Sequence, residues 1–327
     1  MNYKKVSMND IAKKLGISVV SVSKAMNSQN GISDDLRRRI MDTAHDLGYI
    51  AQGKKLNGEM LKFAYFVPRR YAFESEQFYT LLFYHLNEIC AQNSVALNLF
   101  IIGDEEEKRN AVPAIMGTIG FDGIFLGGEI LAEYIRTLYQ YGIPIICIDF
   151  YKPAIDMDCV IVDNYYASFR AADYLVQNGH KKIGFLSHPD LTSSITDRLF
   201  GYQSAMFQYC LPVNMEWILP ISNGITLPSA MPTAFVCHND TSAIQFMRIL
   251  SKFGLSVPSD VSLIGFDNLE IGAGSEPALT SVDVDRMAFA RKAYALMMDR
   301  IKNRTLPVQR VYVETSIVKR SSVKELR

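Results

Sequence analysis

From Leu61 onward, short β-rich runs alternate with helical stretches, and this alternation constrains the fold more than any other feature of the sequence. Most of the runs are apolar throughout, as is typical of parallel strands that are buried on both faces. They predict strands over residues 62–67, 95–102, 122–127, 144–149, 159–163, 182–187, 233–237 and 262–267. Helices are predicted between them, over residues 78–92, 130–141, 165–177 and 240–253. Two successive groups of four βα units predict two doubly wound α/β lobes, with ligand sites at the carboxyl ends of the strands and in the cleft between the lobes.

The first fifty residues carry a different pattern, which predicts three short helices. A serine stands where each helix would begin, and Gly16 can adopt the left-handed conformation that ends the first one. Apolar residues recur at helical spacing in three stripes: Ile11, Ala12 and Leu15; Val19, Val22 and Met26; Leu36, Ile40, Ala44 and Leu47. Two helices joined by a tight turn and supported by a third form the layout that presents the second helix to the major groove of DNA. A three-helix bundle without a role in DNA binding is the alternative.

The charge distribution favours the DNA-binding interpretation. The whole chain is neutral, with 34 basic and 34 acidic residues. Residues 1–58, however, hold ten lysines and arginines against five aspartates, a net charge of +5 that leaves −5 on the remainder. Neutralisation of phosphates by basic side chains is the main source of non-specific DNA affinity, so this distribution directs the head rather than the body to DNA.

Length and composition exclude several other classes of protein. At 327 residues the chain exceeds one hydrophobic core, and two or three domains are expected. The five cysteines never form a C-x-x-C pair, and they predict reduced thiols rather than a disulfide framework or a zinc site. The polar N-terminus and the absence of a long apolar run predict a cytoplasmic protein without membrane contact. No P-loop, G-x-G-x-x-G motif or metal-spaced histidine occurs, so no cofactor, no metal and no enzymatic activity are expected.

Over nearly its full length the sequence resembles the LacI/GalR family of bacterial transcriptional repressors. The resemblance is carried, in order along the chain, by NDIAKKLGISVVSVSKAMN, ISDDLRRRIMDTAHDLGY, YLVQNGHKKIGF, DRLFGY, VPSDVSLIGFDN and PALTSVDV. It implies an all-α helix-turn-helix head and a two-lobed core like that of periplasmic sugar-binding proteins. It also implies a homodimer that binds pseudo-palindromic, double-stranded operator DNA. The implied domains are a DNA-binding domain over 1–49, a hinge over 50–60, an N-terminal lobe over 61–158 and 286–317, and a C-terminal lobe over 159–285 and 318–327.

The head holds the candidate DNA-contacting residues. Those at the start and along the outward face of the second helix, which would contact bases, are Ser18, Val19, Val20 and Lys24. Those that would contact phosphates or cap helices are Ser7, Ser21, Asn27 and Ser33. The valines can contact thymine methyl groups, and Lys24 can donate to guanine. The family usually has Arg where Lys24 stands, and because Lys lacks the bidentate fork, base selectivity there is expected to be softer.

The hinge departs from the family pattern. Relatives continue with a Pro-Asn pair and a hinge helix whose Leu wedges into the minor groove, whereas this chain reads IAQGKKLNGEM. Leu56 is the candidate wedge, and Lys54 and Lys55 beside it suit the minor groove. Because Gly53 and Gly58 disfavour a helix, a flexible linker is the alternative. We therefore hypothesise that the protein binds DNA with little or no wedging by Leu56.

The cleft between the lobes holds the candidate effector-binding residues. Arg198, in DRLFGY, matches the arginine that in relatives binds ligand hydroxyls or carboxylates, and its planar fork suits polar small molecules. Asp267 ends a predicted strand, where a carboxylate can accept hydrogen bonds from sugar hydroxyls. The other candidates are Tyr71, Phe73, Phe78, Ser194, Asn239 and Asp240. The resemblance implies that Asn239 and Asp267 contact the ligand, whereas Asp240 favours support of its loop, and the aromatic residues also suit core packing.

Together these features predict a transcriptional repressor of a carbohydrate-utilisation operon, controlled by a sugar or a sugar phosphate. One alternative is a cytoplasmic sugar-binding protein with the same core. Another is a regulator that no longer responds to a sugar. The stretch between Trp217 and Thr233 raises this second alternative, because it is too short and proline-rich for the helix that relatives carry there.

Overall fold

The computed structural model describes residues 7–26, 31–46, 60–72, 77–221 and 225–326. The chain divides into two compact units, of which the smaller contains the helical head. Among the helices of these residues, none is both long enough and apolar enough to cross a membrane.

Three helices form the head: α1 (Met8–Leu15), α2 (Val19–Met26) and α3 (Asp34–Asp46). The start of α1 is closed by Ser7, whose amide and hydroxyl both donate to Asp10 Oδ2, at 2.8 and 2.6 Å. Gly16 ends this helix with φ at 65°, in the left-handed region. The buried core of the head comprises Ile11, Ala12, Val22, Ala25, Ile40 and Ala44. The three predicted helices are confirmed, and their shared core supplies the packing that helices this short require.

One residue of the predicted apolar stripes does not face this core. Val19 is 42% exposed and Val20 is 63% exposed, whereas Val22 and Ala25 are buried. Val19 is the first residue of α2, so it projects beyond the part of the helix that packs. Val19 is therefore exposed, as its predicted place on the outward face of α2 requires, and Ala25 joins Val22 in the core of the head.

In the core, the described strands form two six-stranded sheets. They are β1 (Lys62–Pro68), β2 (Ala96–Ile102), β3 (Gly123–Gly127), β4 (Ile145–Ile148), β5 (Asp158–Val162), β6 (Ile183–Ser187), β7 (Ile218–Pro220), β8 (Ala234–Cys237), β9 (Ser262–Phe266), β10 (Thr280–Val284), β11 (Arg310–Val313) and β12 (Thr315–Val318). The first lobe is built on the sheet β11-β5-β4-β3-β1-β2, and the second lobe on the sheet β12-β10-β9-β8-β6-β7. Neighbouring strands are parallel throughout, except that β12 is antiparallel to β10. The predicted pair of doubly wound lobes is confirmed.

Helices lie between the strands of both lobes. They are α4 (Gln77–Gln92), α5 (Asp104–Lys108), α6 (Met116–Ile119), α7 (Ala132–Tyr139), α8 (Asn164–Gln177), α9 (Ser193–Gln208), α10 (Asp240–Lys252), α11 (Glu270–Ala273) and α12 (Arg286–Lys302). The closest approach joins α8 and α9, where a Cβ on Gly201 would lie 2.0 Å from the carbonyl oxygen of Tyr165. Only glycine permits this approach, which brings the start of α8 beside the middle of α9.

Strands β7, β10, β11 and β12 were not predicted, because they are three to five residues long and several of their side chains are polar or exposed. Glu314 alone separates β11 from β12, yet the two strands join different sheets. The chain therefore crosses between the lobes there, as it does after β5 and after β10. The strand pairing thus places β5 in the first lobe and β12 in the second. The resemblance implied lobe boundaries after residues 158 and 317, which lie a few residues from those that the pairing indicates.

A buried ion pair holds α12 and the segment after it against the first lobe. Arg300 on α12 donates to both carboxylate oxygens of Asp158, from Nε at 2.6 Å and from Nη2 at 2.7 Å. The same guanidinium donates to the main-chain carbonyls of Leu306 and Pro307. The amide of Gln309 also donates to Asp158, at 2.9 Å. One guanidinium thus joins α12, β5 and the segment that leads into β11.

We expect Arg300→Gln to lower the free energy of unfolding by about 3–5 kcal/mol, because it leaves the buried Asp158 carboxylate without its cation. Lys302→Gln is the matched control on the same helix. Lys302 pairs with Asp299 at the exposed surface, where such a pair contributes less than about 1 kcal/mol. Urea unfolding followed by circular dichroism measures both variants. Equal effects of the two substitutions would contradict the role assigned to Arg300.

Candidate functional site

The outward side of α2 is the candidate DNA-contacting surface. Val19, Val20 and Lys24 are exposed there, while Val22 and Ala25 on the opposite side pack into the core of the head. The spacing of four residues places Val20 and Lys24 on one face of the helix. This surface combines two small apolar side chains with one cation: the valines can contact thymine methyl groups, and Lys24 can donate to guanine or to a phosphate.

The serines of the head act as helix caps. Ser18 precedes α2, and its hydroxyl accepts a hydrogen bond from the Ser21 amide at 3.0 Å and lies 2.9 Å from the Ser21 hydroxyl. Ser33 accepts from the Leu36 amide at 3.3 Å at the start of α3, and Ser7 closes α1 as described above. Capping therefore accounts for Ser7, Ser18 and Ser33. The predicted contact of Ser18 with bases, and those of Ser7, Ser21 and Ser33 with phosphates, stay predictions.

Five predicted site residues lie outside the described part of the chain. They are Asn27, Lys54, Lys55, Leu56 and Phe73. The hypothesis that Leu56 does not wedge into DNA therefore stays a prediction.

The two lobes enclose a small cavity, here named the inner cavity, of about 50 Å³. Six of the predicted effector-binding residues line it: Tyr71, Phe78, Ser194, Arg198, Asn239 and Asp267. Asp149, Tyr79 and His238 also line it, although the sequence analysis did not single them out. Within the described ranges, no group of three or more His, Cys, Asp or Glu side chains is placed to bind a metal ion.

Arg198 is fixed in the inner cavity by contacts with the second lobe. Its Nε donates to Asn164 Oδ1 at 2.7 Å, and its Nη1 donates to the main-chain carbonyl of His238. The guanidinium carbon lies 3.6 Å from the centroid of the Phe266 ring, a cation–π contact. Its Nη2 lies 3.8 Å from Asp267 Oδ1, an ion pair without a hydrogen bond. The Arg198 fork is thus held in one plane beside the cavity.

Two buried carboxylates line the inner cavity, one from each lobe. Asp149 directly follows β4 and Asp267 directly follows β9, and both have left-handed backbones, with φ of 65° and 94°. Non-glycine residues in this conformation carry strain, which is concentrated at functional sites. The Oδ1 atoms of both residues are buried and have no hydrogen-bond partner among the described residues. Each lobe therefore presents an unused acceptor to the cavity.

Burial sets the protonation of these groups. Burial raises the pKa of Asp149 to about 7, in spite of the opposing effects of Arg198 and of the hydrogen bond from Tyr79 at 3.0 Å. Burial also raises the pKa of Asp267. It lowers the pKa of His238 to about 3, so this imidazole is neutral. His238 Nδ1 donates to the Leu186 carbonyl at 3.2 Å, which leaves Nε2 to accept from the Ser242 hydroxyl at 3.0 Å.

Asp149 carried the same sequence signal as Asp267. Both aspartates end a buried apolar strand, in the runs PIICID and SLIGFD. Carboxyl ends of parallel strands meet at one edge of a sheet, where open α/β sheets bind ligands. The rule that selected Asp267 would have selected Asp149 as well.

Two candidates beside these carboxylates have structural roles. Asp240 accepts from the Leu269 amide at 2.7 Å and from the Ser281 hydroxyl at 2.6 Å. Its side chain supports the loop after β9 and does not line the inner cavity, so its assignment to effector binding is corrected to positioning. Asn239 lines the cavity and also caps α10, where its Oδ1 accepts from the Ser242 amide at 2.8 Å.

The remaining candidates line the cavity from both lobes, Ser194 from the second and the aromatic residues from the first. The Ser194 hydroxyl donates to the main-chain carbonyl of Asp149 at 2.6 Å, which joins the two lobes. Phe78 is buried against the edges of the Tyr79 and Phe289 rings, at centroid distances of 5.3 and 6.5 Å. Tyr71 is half-buried, and its ring lies 5.3 Å from that of Tyr79. Both predicted roles, core packing and lining of the site, thus apply to Phe78.

A larger pocket of about 370 Å³, here named the outer pocket, adjoins the inner cavity and shares Tyr71 and His238 with it. Glu129, from the first lobe, lies in its wall. One oxygen of Glu129 accepts from Lys152 Nζ at 2.5 Å, and the other accepts from the Ser193 amide at 2.9 Å, at the first residue of α9. This carboxylate binds a helix N-terminus of the opposite lobe, the position where an anion is most stable.

Comparison with known families matches both parts of the chain. Residues 7–52 match the model for bacterial regulatory proteins of the lacI family. Residues 172–323 match the model for a periplasmic binding protein-like domain. Together the two matches cover more than half of the sequence.

Curated relatives and solved structures extend this similarity over nearly the whole chain. The chain is 25% identical over 336 residues to the HTH-type transcriptional repressor PurR of Vibrio campbellii (strain ATCC BAA-1116), covering 98% of this chain and 99% of that protein. It is 26% identical over 339 residues to the HTH-type transcriptional repressor CytR of Escherichia coli (strain K12), covering 98% and 97%. The fold is similar to that of the transcriptional regulator CelR in complex with cellobiose, with a TM-score of 0.70, 19% identity, and coverage of 97% and 100%.

The helical head, the two doubly wound lobes and these full-length similarities agree with one another. The chain belongs to the LacI family of bacterial regulatory proteins.

Proposed function

We propose that this protein is a sequence-specific transcriptional repressor in the cytoplasm, whose affinity for operator DNA responds to a small polar effector bound between the lobes. The observation that carries the proposal is the exposure of Val19, Val20 and Lys24 on a helix whose other face is packed. An exposed pair of valines has no structural use in the head, whereas it matches the methyl groups of the major groove.

The charge of the head supports DNA as the partner. Residues 1–58 carry a net charge of +5 and the remainder −5. A head of this charge gains affinity from the release of counterions, and α2 supplies the side chains that read bases. A homodimer would place two heads on the two halves of a pseudo-palindromic site, and we include a homodimer in the proposal.

The cleft supports a small polar effector. Asp149 and Asp267 present unpartnered acceptors from opposite lobes, and Arg198 and Asn239 lie beside them. A ligand that satisfies both carboxylates would stabilise one relative position of the lobes over others, which is how differential binding shifts a conformational equilibrium. Sugars have the hydroxyl groups that this site requires, and the similar CelR structure is a complex with cellobiose. We therefore propose a sugar, and with it control of a carbohydrate-utilisation operon.

A salt titration tests the DNA-binding part. We expect affinity for duplex DNA to fall steeply with salt, and Lys24→Gln to reduce the slope of log Kd against log salt by about 1. Lys252→Gln, at an exposed position on α10, is the matched control and should leave the slope unchanged. Fluorescence anisotropy with a labelled duplex, chosen by selection from random sequences, measures both. A flat salt dependence, or a Lys24 variant indistinguishable from its parent, would sink the proposal.

The buried Asp149 carboxylate also has a measurable effect on the stability of the protein. Because burial raises the pKa of Asp149 to about 7, the folded protein retains a proton between about pH 4 and pH 7 that the unfolded chain has lost. The stability contributed by this proton is complete below about pH 4 and is lost as the pH rises through 7. We expect Asp149→Asn to raise the free energy of unfolding by about 4 kcal/mol at pH 8 and to have no effect below about pH 4.

Thermal unfolding over a series of pH values measures this difference. Asp299→Asn, at an exposed site on α12, is the control and should show no such pH dependence. If Asp149→Asn changed the free energy of unfolding equally at every pH, burial would not raise the pKa of Asp149, and this prediction would be wrong.

A further inference from the structure

The inner cavity contains more negative than positive charge. Of the described side chains that line it, Asp149 and Asp267 are acidic and Arg198 is basic. His238 is neutral there, as argued above. When both carboxylates are ionised, the cavity therefore carries an excess of one negative charge on side chains that are buried. A buried charge without a partner is costly, so a ligand that supplies the missing cation would bind strongly.

Arg198 cannot correct this imbalance by itself. Asn164, the His238 carbonyl and the Phe266 ring hold its guanidinium in one plane. Its Nη2 stays 3.8 Å from Asp267 Oδ1. Arg286, the other cation beside Asp267, donates to the main-chain carbonyl of that residue rather than to its carboxylate. The Oδ1 atoms of Asp149 and Asp267 accordingly receive no hydrogen bond from the described chain.

The helix N-terminus in the outer pocket is already occupied by a carboxylate, and the two cations among the described residues that line this pocket, Arg70 and Lys152, are each paired with a glutamate. Glu129 already occupies the N-terminus of α9, where it accepts from the Ser193 amide, and it also binds Lys152. A phosphate group would have to displace this carboxylate and would then lie near two further carboxylates, Asp149 and Asp267. A sugar phosphate therefore gains nothing from the N-terminus of α9 unless it displaces Glu129.

The sizes of the two spaces indicate how a ligand would be divided between them. The inner cavity, at about 50 Å³, accommodates a functional group rather than a sugar ring. The outer pocket, at about 370 Å³, has the size of a small-molecule site. An ammonium group has three donors and no acceptor, and charge-assisted hydrogen bonds are about twice as strong as neutral ones.

We propose that the effector is an amino sugar whose protonated amino group binds in the inner cavity, between Asp149 of the first lobe and Asp267 of the second, with its ring in the outer pocket. This inference rests on the proposed function, because it assumes that the cleft binds the effector. It narrows the effector from sugars in general to those that carry a positive charge.

Thermal unfolding of the full-length protein at pH 7 tests the inference with matched ligands at millimolar concentration. The amino sugars are glucosamine, galactosamine and mannosamine. Glucose, galactose and mannose are the neutral counterparts, and the N-acetyl forms keep the nitrogen without its charge. We expect at least one amino sugar to raise the Tm, with a Kd about tenfold lower than those of its neutral and N-acetyl counterparts.

Variants that remove one carboxylate charge test whether the amino group binds in the inner cavity. Asp149→Asn and Asp267→Asn should each remove the preference for the amino sugar, and the Tm of each variant without ligand reports whether it folds. Asp299→Asn, on the exposed surface of α12, should keep the preference.

The possible failures are distinguishable. A neutral sugar that binds as tightly as its amino counterpart would overturn the inference and leave the proposed function intact. No response to any amino sugar would also overturn the inference, and the DNA titration then decides separately whether the protein is a repressor. A preference that survives in both aspartate variants would show that the amino group binds elsewhere.

Discussion

The orientation of Arg198 is the constraint on which the effector site depends. Its guanidinium is fixed by Asn164 at the start of α8, by the carbonyl that follows β8, and by the ring of Phe266 at the end of β9. Gly201 makes the first of these contacts possible, because it lets α9 approach α8 closely. A cation held so firmly cannot move to pair with every nearby carboxylate. The Oδ1 atoms of Asp149 and Asp267 are consequently left without donors among the described residues, and a bound ligand can supply them.

This arrangement gives a physical reason for the two-lobed architecture. Asp149 belongs to the first lobe and Asp267 to the second, so a ligand that binds both carboxylates also holds the lobes together. The Ser194 hydroxyl and the Glu129 carboxylate make further contacts across the same cleft, at the start of α9. An effector that strengthens or breaks such contacts changes the relative position of the lobes, and a displacement of this kind is a signal that the head can respond to.

Much of the fold could be predicted from the sequence because its buried strands are apolar runs and its helices carry clear end signals. The short strands β11 and β12 could not, since Glu314 alone separates two segments that pair with different sheets. Asp267 was predictable from its place at the end of a strand, and Asp149 would have been by the same rule. The role of Asn164 was not predictable, because it depends on the close packing of two helices, and its partner Arg198 lies 34 residues further along the chain. Helical spacing placed Val19 on the apolar stripe of α2 but could not show that this first residue of the helix is exposed and that Ala25 packs into the core instead.

The central claim is that occupation of the cleft alters DNA binding, and the linkage between the two sites tests it most directly. The measurement is the Kd for an operator duplex at fixed salt, with and without a saturating ligand that raises the Tm of the protein. A coupled regulator predicts a change of about 5-fold to 150-fold in this Kd, and DNA must change the affinity for the ligand by the same factor. An operator Kd that is identical in the presence and absence of a demonstrably bound ligand would contradict the claim.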